Sequence, residues 1–108
     1  FMNLIIAIVS KDDSANVSSS LIKEGFSVTK LATTGGFLRA GNTTLIIGLD
    51  DEKVDEAIEI IRKDSKRRTE VVSTPMSYDL GKNVSFPIEV EVGGAVIFVV
   101  DVDKFIRV

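Results

Sequence analysis

Three segments of this chain are apolar on consecutive positions: Leu4 to Val9, Leu45 to Ile47 and Ala95 to Val100. Each is short and rich in β-branched residues, which favours strands. Successive strand residues point to opposite faces, so an unbroken apolar run puts hydrophobic side chains on both. None approaches the roughly 20 residues needed to cross a bilayer. A sheet with two apolar faces, both needing cover, is therefore the first constraint on the fold. A length of 108 residues leaves room for one domain over residues 1–108 to provide that cover.

The remaining elements follow from periodicity. A strand is expected over Asn3 to Val9. Lys11 to Ser14 offers cap oxygens to a helix over Ala15 to Glu24, with Ala15, Val17 and Leu21 inward. Phe26 to Thr33 alternates and reads as a second strand; Thr43 to Leu49 is a third. Asp50 or Asp51 then caps a second helix, in which Val54, Ala57, Ile58 and Ile61 recur at helical spacing and Arg62, Lys63 and Lys66 close the negative end. Glu70 to Ser73 suggests a short strand, Thr74 to Pro87 a long loop, and Ile88 to Val92 and Ala95 to Val102 two more strands around Gly93-Gly94. Phe1, ahead of Met2, reads as a remnant of expression and is set aside. The predicted class is α+β: a ferredoxin-like βαββαβ arrangement with an antiparallel sheet, both helices on one face, and extra strand material near the long loop.

Two helices cover one face of such a sheet. At about 25 cal/mol per Å², leaving the Ile, Val and Phe side chains of the other face in water forgoes several kcal/mol and invites aggregation. A symmetric oligomer that packs sheet against sheet resolves this; the alternative is the long loop folding back over the sheet. An obligate oligomer is expected.

Composition narrows the chemistry. Without cysteine there is no disulfide, thiol nucleophile or Cys-ligated metal; without histidine the commonest general base and zinc ligand are absent. Thirteen Lys and Arg against 16 Asp and Glu give a net charge of -3, which argues against DNA, RNA or membrane surfaces as partners by bulk charge. With no secretory signal before the first strand, a cytoplasmic protein is expected, without metal or cofactor and without catalytic residues.

Two segments have the makings of a binding site. Thr33 to Asn42 (T-T-G-G-F-L-R-A-G-N) combines glycines that allow close backbone approach to an anion, neutral donors, Arg39 for a forked phosphate contact, and apolar Phe37 and Leu38 for a flat base. The same residues also fit a plain glycine-rich connection with Phe37 and Leu38 in the core or at a subunit contact. Gly93-Gly94 either admits a ligand beside Phe98 or makes a tight bend. Lys66-Arg67-Arg68 reads as a solvated helix end, and Glu89 and Glu91 as a solvated strand face.

Leu31 to Thr44, together with Pro87 to Ala95, resembles the PII-like cyclic-di-AMP receptors of the PstA or DarA type, and the resemblance runs from Met2 to the C-terminus. It implies a non-enzymatic signal receptor and a homotrimer. One cyclic di-AMP would lie in each cleft between subunits, and its binding would order loops for a downstream protein. Carried over by position, Thr29, Gly36, Phe37, Leu38, Asn42 and Gly48 would line the pocket, with Phe98 and the Gly93 backbone completing it. Two positions depart from the family's pattern. Ser27 stands where an arginine is expected. Arg107 stands where a polar amide is expected, and it supplies a cation from a different direction or alters affinity. A PII-type ATP-sensing regulator is the close alternative. A small ferredoxin-like phosphatase using Arg39 and Asn42 is a more distant one, since no glycine-rich phosphate cradle follows the first strand.

Overall fold

The computed structural model describes residues 1–32, 41–75 and 85–108. In chain order these form β1 (Met2–Ser10), α1 (Ser14–Lys23), β2 (Val28–Ala32), β3 (Asn42–Asp50), a 3-10 turn (Asp51–Lys53), α2 (Val54–Ser65), β4 (Arg68–Pro75), β5 (Ser85–Val92) and β6 (Ala95–Val102). One sheet has the order β2-β3-β1-β6, with every pair antiparallel; β4 and β5 form a separate two-stranded ribbon. This is the ferredoxin-like α+β arrangement, with the ribbon inserted between α2 and β6.

The alternating side-chain directions of the central strands set the core. Ile5, Ala7 and Val9 of β1 and Leu45 and Ile47 of β3 share one face and are fully buried against Val17 and Leu21 of α1 and Ala57 and Ile61 of α2. The helical spacing read at Val54, Ala57, Ile58 and Ile61 holds, with Ala57 and Ile61 innermost and Val54 and Ile58 at the margin. Ala15 is exposed; the buried side of α1 begins at Ser14, whose hydroxyl donates to the Lys11 carbonyl at 3.0 Å.

Other boundaries moved for local reasons. Phe26 does not begin β2: its N–H donates to the Leu21 carbonyl at 3.0 Å, and its ring closes the end of the core. Neither Asp13 nor Asp50 caps its helix through its side chain. Phe1, set aside in the sequence, has a role through its carbonyl, which accepts the Asp51 N–H at 3.0 Å. Strands β4 and β5 are longer than their apolar cores suggest, because each pairs with the other from Arg68↔Val92 to Pro75↔Ser85. The expected long loop is thus partly ribbon, and its residues 76–84 lie outside the described residues.

The other face of the four-stranded sheet carries the second half of each apolar run. Pairing aligns Thr29, Ile46, Ile6 and Phe98 in one row across it. Leu31, Thr44, Ile8 and Val96 form the row on one side, and Gly48, Leu4 and Val100 the row on the other. Neither helix packs here. Ile8 and Thr44 are buried, but Leu4, Ile6, Ile46 and Val96 are half-exposed, and Phe98 and Val100 are each 46% exposed.

Candidate functional site

The row across the open face places the candidate residues. Thr29 lies on edge strand β2 and Phe98 on edge strand β6. Three strand spacings separate them, roughly 14 Å at 4.7–4.9 Å each. Gly48 and Asn42 belong to β3, beside β2; Gly93 lies just before β6. The candidates therefore form two half-sites on opposite edges of one sheet. Thr29, Gly48 and Asn42 make one, Phe98 and Gly93 the other. A small ligand held by both would have to span the sheet or lie where edges of two copies meet.

Gly48 has no positive φ, and a Cβ there would meet only the flexible tip of Met2 at 3.3 Å. Its own backbone does not require glycine, and the missing side chain leaves space on the open face. Gly93 is different. Its φ is +83°, Gly94 has +88°, and a Cβ on Gly93 would sit 2.6 Å from the Lys66 carbonyl oxygen and 2.7 Å from Arg68 Nη1. The Gly94 N–H donates to the Ser65 carbonyl. The structural reading of this pair, a tight bend, is correct, and the bend is packed against the end of α2.

Gly36, Phe37 and Leu38 lie outside the described residues, as does Arg39. Asn42 begins β3 opposite Ser10, at the end of the sheet where Gly93 also lies. Arg107 follows β6 in the exposed C-terminal segment, its guanidinium carbon 5.9 Å from the Phe105 ring centroid. Ser27 is exposed and precedes β2. Glu89 and Glu91 are exposed on one ribbon face, Glu91 within 3.7 Å of Arg67.

The basic run divides: Lys66 at the end of α2 and Arg67 after it are exposed, as expected of a solvated helix end. Arg68 is not a solvated helix end: it begins β4, and its Nη2 and Nη1 donate to Asp13 Oδ1 and Oδ2 at 2.8 and 3.3 Å. The Asp13 side chain is 6% exposed. Its hydrogen bonds hold the Arg68 guanidinium above the ordinary arginine range, partial burial opposing and the nearby Asp13 and Glu70 charges adding to the rise. Asp13, one of the residues expected to offer cap oxygens to α1, is committed to this fork instead. Among the described residues, no cluster of three or more acidic side chains is placed to hold a metal, and no helix is long and apolar enough to cross a membrane.

This βαββαβ layout with two helices on one face is PII-like. It superposes on PII from Arabidopsis thaliana, solved with citrate bound, at a TM-score of 0.59, with 21% identity over 99% of this chain and 80% of that one. A protein of unknown function from Pediococcus pentosaceus is more similar: TM-score 0.78, 43% identity, covering 99% of this chain and 97% of the other. Within the PII-like class the chain is assigned by its own sequence, which matches the cyclic-di-AMP receptor family over residues 2–108. It belongs to that family.

Proposed function

We propose that this chain is a single-domain, non-enzymatic receptor that binds cyclic di-AMP in the clefts between subunits of a cytoplasmic homotrimer. Family membership over residues 2–108 carries this reading. The geometry supports it in two ways. The open face is apolar where no helix packs, so association of copies would remove Phe98 and Val100 from water. The candidate residues also divide between two sheet edges, so bringing the β2–β3 edge of one copy to the β6 edge of the next would complete a pocket that a lone protomer leaves in halves.

In this pocket Thr29 and Asn42 are hydrogen-bonding groups, Gly48 allows close backbone approach, the Gly93 bend lends its backbone, and Phe98 is a wall for adenine. Gly36, Phe37 and Leu38 would supply backbone donors and a second apolar wall, and Arg107 a cation at the rim. Ligand binding would order the loops beside these residues and so present a surface to a downstream protein.

Calorimetric titration with cyclic di-AMP, ATP and cyclic di-GMP tests the reading. Saturable binding of cyclic di-AMP, one per protomer, is expected. Micromolar binding of ATP alone would replace it with the ATP-sensing reading. Acyl-phosphate turnover above background, lost in Asn42→Ala, would restore the enzyme.

A further inference from the structure

We propose that Asp13 and Arg68 are positioning residues of the ligand site, an inference that rests on the cyclic-di-AMP reading above. Neither side chain is among the candidate contacts, yet together they sit behind both half-sites. Asp13 occupies the turn between β1 and α1, and its backbone is fully used: its N–H donates to the Ser10 carbonyl and its carbonyl accepts from the Val17 N–H, both at 3.0 Å. A carboxylate this buried, with no bond to the helix N-terminus, is costly to leave without a hydrogen-bonded partner of opposite charge. Arg68 provides it through a two-pronged contact, the geometry an arginine makes and a lysine does not.

The fork reaches Gly93 through packing. Arg68 Nη1 also donates to the Lys66 carbonyl at 3.1 Å. That carbonyl and Nη1 itself are the two atoms closest to where a Gly93 side chain would begin. The guanidinium, the Lys66 carbonyl and the Gly93 backbone are thus stacked, and Gly94 is fastened beside them to Ser65. Arg68 and the Lys66 carbonyl flank the Gly93 bend on one side.

The same turn holds the other half-site. The Lys11 N–H, two residues before Asp13, donates to the Gly41 carbonyl at 3.2 Å, and Asn42 follows directly. One three-residue turn therefore fixes Asn42 on one side and, through Arg68, Gly93 on the other. The separation of these two groups, one from each half-site, is set by residues that would not touch the ligand.

The test compares wild type with Arg68→Ala, Arg68→Lys and Asp13→Asn, reading cyclic di-AMP affinity by calorimetry and the Gly93, Gly94 and Gly41 amides by 15N NMR. Ile61→Val, which trims the core without removing any hydrogen bond of the Asp13–Arg68 fork or the Gly93-Gly94 bend, is the control. Arg68→Ala is expected to weaken binding at least tenfold and to move the Gly93 and Gly94 resonances. Arg68→Lys is expected to recover only part of the loss, and Ile61→Val to leave affinity within twofold. A folded Arg68→Ala with affinity within twofold of wild type and unmoved glycine amides would overturn the proposal. So would an equal loss of affinity in Ile61→Val, because general stability would then explain the effect. If Arg68→Ala does not fold, Asp13→Asn, which keeps the shape but loses the charge, is read by the same criteria. Absence of cyclic di-AMP binding in wild type would instead reject the ligand. The amide shifts, which need no ligand, would then still decide whether Arg68 positions the Gly93 bend.

Discussion

The two faces of the four-stranded sheet are built from the same strands and the same residue types, yet they end in different states. On one face Ile5, Ala7, Val9, Leu45 and Ile47 are fully enclosed by α1 and α2. On the other, Leu4, Ile6 and Ile46 alternate with them along β1 and β3 and remain partly in water, as do Phe98 and Val100 on edge strand β6, where Val99 on the helix side is also exposed. A solvated sheet face ordinarily carries polar residues. That this one does not is the observation behind our proposal that copies associate through it. The covered face accounts for the stability of the fold; on our reading the open face serves both association and the ligand site.

Substitutions on the two faces should therefore have different consequences. The largest effect belongs to the covered face: Ile61→Ala should cost roughly 2–5 kcal/mol of folding stability, read by chemical denaturation. If it cost less than about 1 kcal/mol, the helix-covered layer would not be the core. Next comes Val100→Asp on the open face. It should leave a folded protomer by circular dichroism but reduce the sedimenting mass to one chain and abolish cyclic di-AMP binding; an unchanged mass would place the subunit contact elsewhere. Phe98→Ala should weaken cyclic di-AMP by about 1–3 kcal/mol if the ring stacks on adenine. The smallest effect on folding should come from Gly48→Ala, since only the mobile end of Met2 is in the way. Its melting temperature should stay near wild type while ligand affinity falls severalfold. A melting temperature much lower, with affinity retained, would make Gly48 a backbone requirement rather than a space for ligand.

The contrast between faces was legible in the chain before any coordinates, because consecutive Ile and Val residues at Leu4 to Val9 and Ala95 to Val100 admit no other strand reading. The α2 stripe was equally plain from its spacing. What stayed hidden depended on partners distant in sequence. Asp13 precedes a helix and so reads as a cap; only the fold brings Arg68, 55 residues away, onto it. The centres of β4 and β5 were legible at Glu70 to Ser73 and Ile88 to Val92; their extension to Pro75 and Ser85 was obscured by Pro75 and Pro87, and their pairing across the intervening residues has no local signature. The candidate residues came from a family resemblance, and their separation onto two sheet edges came only from the strand order. Sequence proximity said nothing of it: Asn42 and Gly48 are near neighbours in the chain, whereas Thr29 and Phe98 are joined only by the register of four strands.

The central claim is that copies meet through the open face and that the ligand lies where they meet. Sedimentation equilibrium at micromolar concentration, with and without cyclic di-AMP, tests it most directly. The account predicts a species of three times the 11.7 kDa protomer that takes up one ligand per chain. A lone 11.7 kDa chain that binds cyclic di-AMP just as tightly would contradict it.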